Sequence, residues 1–147
     1  MFKNILVPVD GSSLSLKAAR IAARLAREQK ARLTAFYVAP PYRPYVREET
    51  SVTQYESPQQ HAARTKAAAL KVLRAVERVA AAARVPCKSL FVPGDFPYAD
   101  IVRTARQRKC DLIVMASHGR RGISRLLLGS ETSKVLAHSA IPVLVCR

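Results

Sequence analysis

Ile5-Leu6-Val7-Pro8-Val9 runs straight into Asp10-Gly11-Ser12-Ser13, and residues 14–29 that follow are rich in Ala, Leu and Arg. A short, branched, uninterrupted apolar run suits a strand buried on both faces, as in a parallel sheet. The Asp-Gly-Ser-Ser stretch reads as a turn and then a helix N-cap, and residues 14–29 have helical periodicity. The same succession recurs along the chain. Leu33 to Val38 (LTAFYV) is a second strand, and residues 59–84 form a long Ala-rich helix with Leu70, Leu73, Val76 and Ala80 as its apolar stripe. Ser89 to Val92 is a third strand, residues 98–108 a helix and Asp111 to Ala116 (DLIVMA) a fourth strand. A helix from about Ser130 to His138 and a last strand, Val143 to Cys146, complete the chain.

Strands alternating with helices imply a parallel sheet with right-handed crossovers. The expected fold is α/β: a single doubly wound five-stranded parallel sheet, order 3-2-1-4-5, with helices on both faces. In such folds ligands sit beyond the carboxyl ends of the strands, where the strand order reverses.

Composition agrees with one domain across residues 1–147. The chain has 49% apolar residues, and 25 Lys plus Arg against 10 Asp plus Glu give a formal charge of +15. That apolar share excludes a disordered chain. No apolar run reaches the roughly 18 residues of a membrane span. The opening MFKNILVPVD lacks the apolar stretch of a signal peptide, so a cytoplasmic location is expected. Cys87, Cys110 and Cys146 are far apart without CxxC spacing; they read as small core hydrophobes, not as a zinc or redox site. No metal ligation by His61 or His138 is expected.

Lys17, Arg20, Arg24 and Arg27 share one helix face, as do Arg64, Lys71, Arg74 and Arg78. They read as solvated faces or as a surface that attracts polyanions. No aromatic is interleaved with them, which disfavours single-stranded nucleic acid.

Three of the five glycines, Gly119, Gly122 and Gly129, fall between the fourth strand and the last helix. Glycine admits close approach of backbone N–H groups to a ligand, and positive φ. A helix N-terminus adds unpaired donors and a positive dipole end, so phosphate is favoured. Ser130 could donate to that phosphate or simply cap its own helix. The same residues also read as a structural turn. GxxxxGK[ST] and GxGxxG after the first strand are both absent, which disfavours P-loop hydrolysis and hydride transfer. His118 lacks an orienting carboxylate in sequence and reads as a loop residue, with no catalytic residue assigned. Ser117 has no GxSxG context.

ILVPVDGS, DLIVMASHGRRG, LLLGSETSKVL and IPVLV together resemble the universal stress proteins, along essentially the whole chain. Nucleotide-binding members carry G-x2-G-x9-G-[S/T]. Here Gly119, nine residues and Gly129-Ser130 match it, and Ala116 stands at the first glycine. The resemblance implies an adenine-nucleotide module in stress response, with ATP bound and Mg²⁺ or Mn²⁺ carried on its phosphates. It places Pro8, Val9 and Asp10 beside the nucleoside, Asp10 bonding the ribose hydroxyls, and Val38 at the adenine edge. Ala116 and His118 flank the ribose and α-phosphate; Gly119, Gly129, Ser130, Glu131 and Thr132 hold the phosphates. Arg120 and Arg121 could contact phosphate, a partner or solvent. Nucleotide binding is expected to order residues 39–58. A homodimer through the last strand is also implied, and activity at most that of a slow ATP hydrolase. The alternative is a nucleotide-free interaction dimer of the same fold, motivated by Ala116 and Glu131.

Overall fold

The computed structural model describes residues 1–44, 56–119 and 128–147. Gly122, Arg120, Arg121 and most of the segment 39–58 lie outside the described residues. The elements run β1 (Asn4–Pro8), α1 (Ser13–Gln29), β2 (Arg32–Ala39), α2 (Pro58–Ala82) and β3 (Cys87–Pro93). Then come α3 (Pro97–Gln107), β4 (Leu112–Ala116), α4 (Ser130–His138) and β5 (Val143–Cys146).

All strand pairs are parallel, and the sheet order is β3-β2-β1-β4-β5, as the alternation of elements implied. β2 and β3 extend beyond the apolar runs that mark them. Leu33 pairs with Cys87 and Ala39 with Pro93, because backbone pairing does not end where the branched apolar run does.

Strand alternation divides the core in two. Ile5, Val7, Leu33, Ala35, Tyr37, Leu112 and Val114 point to one face, where α1 and α2 cover them. Leu6, Phe36, Ile113 and Met115 point to the other, with Ile101, Val102 and Ala105 of α3 and Val135 of α4. The opposite parity of neighbouring residues follows from the two-residue repeat of the pleat.

Ser12 is the N-cap of α1; its side chain accepts from the Ser15 N–H at 3.1 Å. α2 opens on a capping box, Ser57 with Gln60, and Pro58 occupies the first turn. Its buried stripe is Thr65, Ala69, Leu73, Val76 and Ala80. Leu70 falls beside it, half-buried, and corrects the expected stripe. A run spaced 4-4-3-4 tracks the helix period over this length, and Ala69 lets the helix lie closer than Leu70 would.

Cys110 and Cys146 are buried and Cys87 half-buried, all three as free thiols. Burial pushes each thiol pKa up, away from the reactive thiolate. Among the described residues, no helix is long and apolar enough to cross a membrane.

Candidate functional site

β1 pairs with β2 on one side and β4 on the other. The crossover through α1 leads one way from β1, while the crossover through α3 returns to its far side at β4. The two connections therefore part at the carboxyl ends of β1 and β4 and leave a crevice there. It holds a cleft of about 570 Å³.

All eleven positions singled out in the sequence line this cleft: Pro8, Val9, Asp10, Val38, Ala116, His118, Gly119, Gly129, Ser130, Glu131 and Thr132. β1 carries the first three to its end, β2 carries Val38, and β4 delivers Ala116 and the turn after it. The first turn of α4 supplies the last three. Phe36, Val38, Ile101 and Met115 make an apolar floor. Sequence reading missed Ser15 and Asp95 on the rim. Asp95 follows Gly94 directly after β3, a strand-end position that could have flagged it; it is paired with Arg43.

Asp10 is fixed by its own turn. Its Oδ1 accepts from the Ser12 N–H at 2.9 Å, and its N–H reaches Ser15 Oγ at 3.4 Å. Gly11 between them has φ 85°, a left-handed conformation that favours glycine. The other oxygen of Asp10 faces Gly119. A Cβ on Gly119 would lie 2.5 Å from Asp10 Oδ2. A Cβ on Gly129 would meet His118 Cα at 3.0 Å and Ser117 O at 3.3 Å. Neither glycine has positive φ. Close approach, not backbone conformation, is what a side chain would meet at both: the movable Asp10 carboxylate at Gly119 and the His118 and Ser117 backbone at Gly129.

The Gly129 N–H donates to Ser117 O at 2.7 Å, so this amide closes the loop. Gly129, not Ser130, is the N-cap of α4, and it brings no side chain to cap the helix. Ser130 is the first helical residue, which settles its alternative role as a cap. The N–H groups of Ser130, Glu131 and Thr132 lie in the first turn, where a helix offers no internal acceptor.

The Thr132 hydroxyl is engaged: it donates to Ala116 O at 2.9 Å and pins α4 to the end of β4. Ser117 Oγ and His118 Nδ1 are in hydrogen-bond contact at 3.0 Å. Ala116 keeps negative φ, so its methyl group adds no backbone strain.

Glu131 turns away from its own helix end. Its Oε2 accepts from the Tyr98 N–H at 2.8 Å, and Oε1 meets Lys134 Nζ at 3.3 Å. The N-cap of α3, Phe96, supplies no side-chain bond. Glu131 therefore caps α3 from the neighbouring helix, and its negative charge suits that positive end. Chemically, the cleft combines an apolar floor, a carboxylate at one wall and open helix amides with a serine hydroxyl at the other.

The universal stress protein family matches residues 1–147. Universal stress protein YxiE of Bacillus subtilis is 33% identical, with 100% of each chain covered. Among solved structures, universal stress protein UspA from Lactobacillus plantarum has a TM-score of 0.75 at 29% identity, covering 99% of this chain and 97% of that one. A universal stress protein in complex with cAMP has a TM-score of 0.71 at 26% identity, covering 98% and 95%. Similarity of this extent runs through every element of the sheet and through both walls of the cleft, and by it the chain belongs to the universal stress protein family.

Proposed function

We propose that this chain binds an adenine nucleotide, ATP first among them, in the cleft at the ends of β1 and β4, and serves stress response by switching conformation or partner on binding. One juxtaposition carries this reading: Asp10 lies across the crevice from the open first turn of α4. A carboxylate accepts from ribose hydroxyls, and helix amides with Ser130 Oγ donate to phosphate. Phe36, Val38, Ile101 and Met115 offer an apolar bed of the kind that buries a base. The relative in complex with cAMP supports the same ligand class.

ATP would bring the triphosphate charge, with Mg²⁺ or Mn²⁺ carried on the phosphates. The residues present fit that group. Donors come from the amides of Ser130, Glu131 and Thr132; Gly129 and Gly119 keep the walls free of side chains. The Glu131 carboxylate is held by Tyr98 and Lys134, which draws its charge off the anion. Ala116 and His118 border the sugar, and Pro8, Val9 and Val38 the base and ribose.

Isothermal calorimetry tests this. ATP is expected to bind the wild type, and Gly129→Asp to abolish binding by putting a carboxylate where the phosphates go. Because a Cβ there also crowds His118, Ser130→Ala is the gentler variant. It should keep the fold and weaken ATP roughly tenfold. No heat at millimolar ATP in a folded sample overturns the proposal.

A second reading, a nucleotide-free interaction dimer, draws on β5. This strand is a sheet edge with β4 as its one neighbour, and Leu144 is 39% exposed. An apolar edge without charge or proline pairs readily with a second strand. We place a homodimer contact there under both readings. Light scattering at micromolar protein should give the dimer mass, and Leu144→Lys the monomer. A dimer that ignores ATP in both mass and melting temperature selects the second reading.

A further inference from the structure

A second cleft, of about 600 Å³, opens on the other face of the sheet, between α1 and α2. It shares only Val9 and Ser15 with the first. Leu16 of α1 and Val72 of α2 form apolar walls, and Ser13, Lys71 and Arg78 carry its polar groups. Tyr37 lines it from β2.

Two independent features of this cleft bear on what it can hold. Tyr37 is only 9% exposed, and among the described residues its phenol O–H has no hydrogen-bond partner. Its ring is buried while its hydroxyl oxygen is not sealed from solvent, and the cleft that Tyr37 lines gives a ligand oxygen access to it. Lys71 and Arg78 make no ion pair among the described residues, and the first turn of α1 holds no acidic residue to satisfy them.

We propose that this cleft binds a small phosphomonoester with an apolar body. The dianion faces Lys71 and Arg78 and accepts from the hydroxyls of Tyr37 and Ser13; the body packs on Leu16 and Val72. Two cations beside two hydroxyl donors suit a doubly charged head with three acceptor oxygens better than a carboxylate. A nucleic-acid backbone is the weaker fit. It would engage the exposed Arg20, Arg24, Arg27 and Arg74 equally, and it has no use for a buried phenol beside an apolar wall.

The test is amide NMR of the ¹⁵N-labelled full chain, titrated with phenyl phosphate and, as the head alone, with inorganic phosphate. Saturable shifts are expected at Ser13, Val72 and Ala75, with phenyl phosphate bound roughly tenfold more tightly than phosphate through ring burial. Tyr37→Phe and Lys71→Met should each weaken phenyl phosphate roughly tenfold. Lys71 is exposed, so its variant keeps the fold. Arg24→Met, on the same face but outside the cleft, should change nothing, and neither should Ser130→Ala in the first cleft. Shifts confined to Gly119 and Ser130 to Thr132 overturn the proposal. So do shifts spread over Arg20, Arg24 and Arg27 that ignore Tyr37→Phe, which mark a diffuse polyanion surface. The absence of shifts at millimolar ligand overturns it as well.

Discussion

α1 and α2 cross one face of the sheet with 17 and 25 residues; α3 and α4 cross the other with 11 and 9. At the helical rise, α2 is about 37 Å long and α4 about 13 Å. Within the long pair, α1 meets the sheet through small side chains. α1 buries Ala18, Ala19, Ala22, Ala23 and Ala26, so its backbone lies close on Ile5, Val7 and Leu33. The short pair relies on larger groups, with Ile101, Val102 and Val135 over Phe36 and Met115. Short helices leave the carboxyl ends of β1 and β4 uncovered, and the floor of the first cleft belongs to that face. The first cleft is therefore a gap in helix coverage. What limits a side chain is close backbone approach on the α1 face and reach on the α3 and α4 face.

Ala22→Leu tests that contrast most severely. Ala22 is fully buried, so three further carbons must displace packed neighbours. Overpacking of this kind costs about 1–3 kcal/mol, and at a helix–sheet contact the upper end is expected. Met115→Leu, on the cleft face, conserves volume and should cost less than about 1.5 kcal/mol. Urea unfolding of both variants decides it. Equal losses would mean that the two faces are packed alike.

Replacement of Glu131 by Ala has a smaller effect and separates stability from binding. The carboxylate caps α3 through the Tyr98 N–H, so its loss should cost about 1 kcal/mol in denaturant. ATP affinity should change by no more than about twofold, because the amide donors of α4 remain. A tenfold loss of affinity with unchanged stability would instead place the carboxylate among the phosphate-holding groups.

The same contrast explains what could be read from the chain beforehand. Ile5 to Val9 and Asp111 to Ala116 are continuous apolar runs, so the two central strands and the crevice between them were legible. Gly129-Ser130 after a nine-residue gap marked the start of α4. Each of these signals is local. The partner of Glu131 lies 33 residues away at Tyr98, so its capping role was invisible. Asp95 reaches the cleft only because β3 stands two strands from β1, a matter of topology more than motif. Gly119 was legible as a glycine but not for its reason, since the crowding atom belongs to Asp10 at the far end of the sequence. Leu70 missed the core by one position, because apolar residues on a long helix outnumber those that the sheet can cover.

The smallest expected effect concerns how the α1 and α2 face keeps its helix ends closed. Glu56 sits just before α2, and Arg64 bonds it through Nε at 2.7 Å. That hydrogen bond, with help from His61, lowers the Glu56 pKa from 4.5 to about 2, against a weaker opposing effect of burial. An acid held below its unfolded value stabilises the folded form fully above about 4.5, and the contribution fades as pH falls towards 2. The protection of the Gln60 to Arg64 amides, measured against their intrinsic exchange rates at each pH, should therefore fall on acidification through that window, while the protection of Thr132 to Val135 of α4 shows no matching step. In Arg64→Ala, carbon-detected NMR should find the Glu56 titration moved up towards 4.5. If the midpoint stays near 2, Arg64 is not what holds the charge, and closure of this helix end rests on the Ser57–Gln60 capping box alone.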